Sequence, residues 1–315
     1  MSRLPRDRQS IGVCPLGTLL IAAALASSCG AAQPVASDLA GSGPGASHTD
    51  GAASDTSNSL PALRAKLSAG PSGLSELSLA AKGFGPELGA LLAESTKLSS
   101  LTSLDVSDNA LGLEGARALS RSTQLKSLRE LDLGGNDIGD DGADAIAQAA
   151  AWANLETLNL SGNSIAGRGV SSLVQGQSKR LSSLDLSMNS IGGVGARALA
   201  GGQLPLKSLY LLGCEIGPEG ARELSKSSHL SKLEVLALSG NNLGDEGAVL
   251  LAKSTALPGL TTLDLCANAI TDAGALALAQ SSHFKNLKVI ELFGNDIGAR
   301  GSSALRKRFA KGLRL

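Results

Sequence analysis

The chain has 315 residues, 43% hydrophobic and only 2% aromatic, with 39 glycines and equal numbers of basic and acidic side chains. That is enough apolar material for a large core, one that Leu and Ala must fill. Without a basic excess the composition gives no footing for nucleic-acid binding, and so many glycines suit a turn that recurs at a fixed interval better than a compact enzyme.

The first element is an address. Residues 1–8 carry Arg3, Arg6 and Arg8, residues 11–26 form an apolar run, and small residues lead up to Cys29. A basic head, a short apolar stretch and small residues before a cut make a secretory signal over residues 1–28. Sixteen residues are too few for a membrane-spanning helix, which needs about 20. The stretch Leu25-Ala26-Ser27-Ser28-Cys29-Gly30 resembles the lipobox of bacterial lipoproteins, with Ala26 where that family usually has Leu, Val or Ile. The resemblance implies lipidation at Cys29, palmitate among the acyl chains, and a membrane lipid anchor. Gly30 rather than Asp after the cysteine points to the outer membrane where the organism has one. An ordinary cleaved signal and a secreted protein is the alternative. Loss of residues 1–28 removes Arg3, Arg6, Arg8 and Asp7 and leaves a net charge of −2. Residues 29–59, after Cys29 mostly Gly, Ala, Ser, Pro, Asp and Thr, have few large apolar groups. They cannot offset ordering entropy and read as a flexible tether.

From residue 60 to residue 315 the chain reads as one folded domain. Residues 60–67 (LPALRAKL) predict a capping helix with Pro61 at its start. A motif then repeats: LSELSLAAK (74–82), LTSLDVSDN (101–109), LRELDLGGN (128–136), LETLNLSGN (155–163), LSSLDLSMN (181–189), LKSLYLLGC (206–214), LEVLALSGN (233–241), LTTLDLCAN (260–268) and LKVIELFGN (287–295). The nine copies recur every 25–27 residues. Each L-x-L alternates at the strand period, and the segment after it carries apolar residues at helical spacing, as in Ala143, Ile146, Ala147 and Ala150. Three residues past the Asn position stands Gly in all copies but those with Ala166 and Thr271. Six past it, Gly is missing only at Leu88. Such glycines permit sharp turns and close approach of neighbouring coils. Stacked Asn side chains, which donate and accept, can satisfy backbone groups buried between coils. Cys214 and Lys82 replace Asn in two copies, the second where a terminal coil faces solvent. One copy buries too little to be stable, so the copies must stack. Residues 301–315 predict a last helix and a strand-like Leu313-Arg314-Leu315.

The motif resembles the ribonuclease-inhibitor-like branch of leucine-rich repeats, over about residues 74–300. The resemblance implies an α/β leucine-rich-repeat solenoid, a horseshoe with parallel strands on the concave face and helices on the convex face.

The residue between the last two leucines of each motif should point out of the concave face. That column contains Ser78, Asp105, Asp132, Asn159, Asp185, Tyr210, Ala237, Asp264 and Glu291, flanked by Asp108, Glu130, Met188, Leu212, Val235 and Phe293. Asp105 and Asp132 should lie about 5 Å apart, where like charges cost stability. The first half is either a groove for a basic or cation-bearing partner or a solvated, solubilising face. Tyr210 and Leu212 beside Val235 and Ala237 form an apolar patch, a binding hot spot or tolerated exposure. The basic C-terminal run (Arg300, Arg306, Lys307, Arg308, Lys311, Arg314) is the polar side of a cap or a contact for an anionic envelope polymer. His48 falls in the tether, His229 and His283 occupy equivalent loop positions rather than a metal pair, and Trp152 reads as packing. Cys14 leaves with the signal. Cys214 and Cys266, two coils apart, are too distant for a disulfide; the first should be buried and the second exposed on the concave flank.

No nucleophile–base pair, metal-ligand cluster or phosphate loop stands out, so the expectation is a non-enzymatic monomer with no cofactor and no metal. It would bind a protein or envelope polymer, not nucleic acid, on its concave face. A GTPase-activator-like regulator of the same repeat branch is the second reading, which export from the cytosol would contradict.

Overall fold

The computed structural model describes residues 59–69 and 73–315. The expected signal (residues 1–28), Cys29, His48 and all of the tether but Ser59 lie outside the described residues.

The L-x-L segments form strands, each three residues long, centred on the middle leucine. They are β1 Glu76–Ser78, β2 Ser103–Asp105, β3 Glu130–Asp132, β4 Thr157–Asn159, β5 Ser183–Asp185, β6 Ser208–Tyr210, β7 Val235–Ala237, β8 Thr262–Asp264 and β9 Val289–Glu291, with β10 Leu313–Arg314 closing the series. All ten pair in parallel and in sequence order within one sheet, so every crossover is one coil of a solenoid. Register is strict: Leu104 pairs with Leu131, Leu131 with Leu158, and so on to Ile290. These central residues are buried.

Before the sheet lies α1, Leu60–Ala69. Between strands run α2 Glu87–Glu94, α3 Gly112–Ser120, α4 Gly139–Ala147, α5 Gly167–Gln175, α6 Gly192–Gly201, α7 Gly217–Ser225, α8 Gly244–Ala252 and α9 Asp272–Gln280, with α10 Ala299–Phe309 after β9. From α2 to α10 each helix packs on the next, which gives the α/β horseshoe a sheet on one face and helices on the other. Ala143, Ile146 and Ala147 are buried on α4 as their spacing predicts, but Ala150 is exposed in a 3-10 turn, Ala150–Trp152. The helix stops at Ala147 and Trp152 takes the core position instead, with no exposed surface. No helix among the described residues is long and apolar enough to cross a membrane.

The Asn side chains stack as a ladder with a direction. Asn136 Nδ2 donates to Val106 O of the preceding coil and to Leu133 O and Gly134 O of its own turn. Its Oδ1 accepts from Asn109 N and Leu111 N, again of the preceding coil. Each Asn therefore completes the coil before it. This explains Lys82: Asn109 reaches back to Leu79 O and Phe84 N, so the first coil needs no Asn of its own. At Cys214 the thiol stands in, donating to Leu186 O at 3.1 Å. Burial pushes that thiol up to about 12, against backbone N–H groups of Asn189 and Met188 that pull it down.

The glycine column three past the Asn divides by conformation. Gly112, Gly139 and their counterparts are left-handed, whereas Ala166 and Thr271 are extended, as is Gly298. In those three coils an aspartate from the preceding helix caps the next. Asp140 Oδ1 accepts from Ala166 N and Gly169 N, Asp245 Oδ1 from Thr271 N and Gly274 N, and Asp272 Oδ1 from Gly301 N. A cap residue in the extended region tolerates any side chain, so glycine is dispensable there. Six past the Asn the reason is space: a Cβ on Gly142 would lie 2.0 Å from Ile138 Cγ2.

Candidate concave-face site

The outward column does not stand clear of the sheet. Asp105, Asp132, Asn159, Tyr210 and Glu291 are half-buried, and Asp185, Ala237 and Asp264 are buried. On strands of three residues a short polar side chain turns back onto the loop that follows. Asp105, Asp132, Asn159, Asp185 and Asp264 each accept, through Oδ1, the backbone N–H two residues on: Ser107, Gly134, Ser161, Ser187 and Cys266. The expected acidic groove is thus in part a set of Asx turns holding the coil. The column is also cross-linked. Ser78 Oγ donates to Asp105 Oδ2, and Asn159 Nδ2 to both oxygens of Asp132.

Asp105 and Asp132 do face each other in register. Burial pushes the Asp132 carboxyl up, offset by the Gly134 N–H and Asn159, while Asp105 and Asp108 add to the rise. Burial likewise raises Asp185, against hydrogen bonds from Ser187, and Asp264, against the N–H and thiol of Cys266. Glu291 is raised by burial and by Asp264, and lowered by Arg314. Asp245 goes the other way: burial opposes ionisation, but the hydrogen bonds from Thr271 and Gly274 outweigh it.

These directions fix the sign of a pH effect. Carboxyls raised by folding bind their protons more tightly in the folded chain. Acidification from about pH 7 towards the ordinary carboxylate range should therefore add stability, and the gain is complete once the pH lies below that range. Asp245 acts oppositely, losing its contribution as the pH falls through its lowered value. The urea midpoint should accordingly be higher at about pH 5 than at about pH 7. Asp185→Asn should flatten that slope; an unchanged slope would show that Asp185 is not among the groups responsible.

Of the remaining expected site residues, Asp108 is exposed, Glu130 half-buried, Leu212 half-buried and Phe293 38% exposed. Met188, beside the column, is 70% exposed. Asp105, Glu130 and Asp132 lie on β2 and β3 and Asp108 in the turn after β2, so the accessible acid sits at the N-terminal end of the sheet. Tyr210 and Leu212 are half-buried next to buried Ala237, which makes the apolar patch narrower than the sequence suggests. Cys266, expected to be exposed, is buried because its column lies under the turn after β8. Cys214 is buried as expected.

Two features were not foreseen. An open groove of about 650 Å³ runs along the approach to β6–β9 and is lined by Lys207, Lys232, Lys285 and Lys288 around Glu234. Its signal lay in the lysines before β6, β7 and β9, hidden by a neutral total charge. The other is a close grouping of Asp264, Cys266 and Glu291. On the last coil Arg314 Nη1 meets Glu291 Oε1 at 3.1 Å, and Arg308 lies over the Phe309 ring. The other basic residues of the run are exposed on α10 and, at Lys311, on the turn that follows it.

No curated protein matches the chain. Among solved structures, the Rad7–Elc1 complex of yeast gives a TM-score of 0.47 at 19% identity, over 75% of this chain and 67% of that one. An internalin, InlF, of Listeria monocytogenes gives 0.47 at 20%, over 79% and 68%. A TLR13–ssRNA13 complex gives 0.43 at 24%, over 72% of this chain but 29% of the other. The family model described as "Leucine Rich repeat" matches residues 97–120, 124–147, 153–174, 177–200, 204–225, 229–252, 258–279 and 285–305. With more than half of its length in those eight matches, the chain belongs to the leucine-rich-repeat family.

Proposed function

We propose that this protein is a non-enzymatic binding module of the bacterial cell envelope, lipid-anchored through Cys29, that presents its concave sheet to a protein or an envelope polymer. The observation that carries the binding role is the division of labour within each coil. Leucines and the Asn ladder, with a thiol standing in at Cys214, hold the scaffold alike from coil to coil, while the positions on the open sheet face differ in charge and size. Leucine-rich repeats are in general binding scaffolds rather than enzymes. The helix in every coil and the repeat of about 27 residues favour the ribonuclease-inhibitor-like branch. The apolar run before Cys29 and the composition of residues 29–59 favour export and tethering. A balanced charge favours a protein or polymer over nucleic acid.

Asp108 and Glu130 are the acids best placed for a cationic partner, since neither carries an Asx turn. Binding should therefore be tested with Asp108→Lys/Glu130→Lys, and in parallel with Lys232→Glu/Lys285→Glu in the lysine groove. Capture from envelope extract should lose a defined partner with the first pair. If every partner survives both reversals, the sheet face and its edge are not the binding surface. Incorporation of labelled palmitate that persists in Cys29→Ala would remove the anchor from the proposal.

A further inference from the structure

We propose that Asp264, Cys266 and Glu291 form a binding site for a thiolate-accepting divalent cation of the Zn²⁺ class. The inference stands apart from what the sheet face binds. Asp264 on β8 pairs in register with Glu291 on β9, and Cys266 lies two residues beyond Asp264, on the same side of the chain. One sulfur and two carboxylate oxygens, one from each residue, all lie within 4.8 Å of one another. Around a tetrahedral ion with bonds of about 2.0–2.3 Å, ligand atoms sit roughly 3.3–3.8 Å apart, so small side-chain rotations close the set.

The other coils show what is unusual here. Asp105 receives hydroxyls from Ser78 and Ser107, Asp132 receives the Asn159 amide, and Asp185 is bonded by Ser187. Each outward carboxylate is thus met by a donor. At Asp264 the donors are the N–H and thiol of Cys266, while the adjacent strand offers a second carboxylate instead of a hydroxyl or amide. Asp264 is 3% exposed, and its Oδ2 is the one buried carboxylate oxygen among the described residues without a hydrogen-bond partner. A buried carboxylate oxygen left without a donor is costly. Arg314 supplies a cation to Glu291 but not to Asp264. A divalent ion bridging the three would supply it. A sulfur donor among oxygens selects Zn²⁺-like ions over Mg²⁺ or Ca²⁺. Binding would release the Cys266 thiol proton to solvent as the metal–sulfur bond forms, and three protein ligands leave a fourth position for water or for a side chain of a partner.

The test uses Co²⁺ as a spectroscopic probe on the full chain, in a background with Cys14, Cys29 and Cys214 replaced by Ser. One equivalent of Co²⁺ should produce a sulfur-to-metal charge-transfer absorption that Zn²⁺ displaces. Cys266→Ser should abolish the band. Asp264→Asn and Glu291→Gln should each weaken binding about tenfold or more, with far-UV circular dichroism confirming that the variants fold. Absence of the band, its survival in Cys266→Ser, or affinity indifferent to both carboxylate variants would overturn the proposal.

Discussion

Replacing Asn136 by alanine should cost about 4 kcal/mol, an unusually large loss for a single polar side chain. The carbonyls of Val106 and Gly134 each keep another donor, from Asn109 Nδ2 and Asp108 N. The backbone N–H groups of Asn109 and Leu111 have no such reserve, since both are bonded to Asn136 Oδ1. Two buried donors left bare, at about 1–3 kcal/mol each, carry most of the effect. Asn136→Asp keeps the acceptor and loses the donors, so it should fall between wild type and alanine. Urea unfolding followed by circular dichroism checks the order. Because Asn136 lies inside the stack, the transition should also broaden, as the coils on either side uncouple. A cost for Asn136→Ala no greater than for the exposed control Lys126→Ala would refute the ladder as a stabilising device.

Trp152 gives a second large effect with an internal contrast. Its ring is wholly buried, yet its indole N–H has no hydrogen-bond partner. Trp152→Ala should cost about 3–5 kcal/mol through the cavity it leaves. Trp152→Phe also removes volume, but it takes away a buried donor that costs about 1–3 kcal/mol unsatisfied. The two nearly cancel, and Phe should lie within about 1 kcal/mol of wild type. Circular dichroism is the measurement to use, since Trp152 is the chain's one tryptophan. If Phe is as damaging as Ala, the indole N–H contributes nothing to the balance.

The repeat was legible in the sequence because one constraint is printed nine times: L-x-L sets the strand, Asn the turn, and glycine the space for the neighbouring coil. Even the exceptions at Ala166 and Thr271 were visible, although their cause, a carboxylate one coil away, was not. The chemistry of the face was less legible. Alternation says which way Asp185 and Asp264 point, but not that a three-residue strand lets a short carboxylate fold back onto the N–H two residues later. The same blindness placed Cys266 in solvent. Aligning the copies does put Asp264, Glu291 and Cys266 side by side; what a column of letters omits is that Asp132 finds an amide across the strand where Asp264 finds another acid.

The ladder's direction has a consequence for how the molecule is made. Because each Asn reaches only backward, a coil stays unfinished until its successor arrives, and needs nothing further along the chain. A polypeptide that emerges N-terminus first from ribosome or export channel can therefore solidify turn by turn behind the point of emergence. It never has to hold an early segment open for a distant one, and at any moment the unsealed surface is confined to its newest turn.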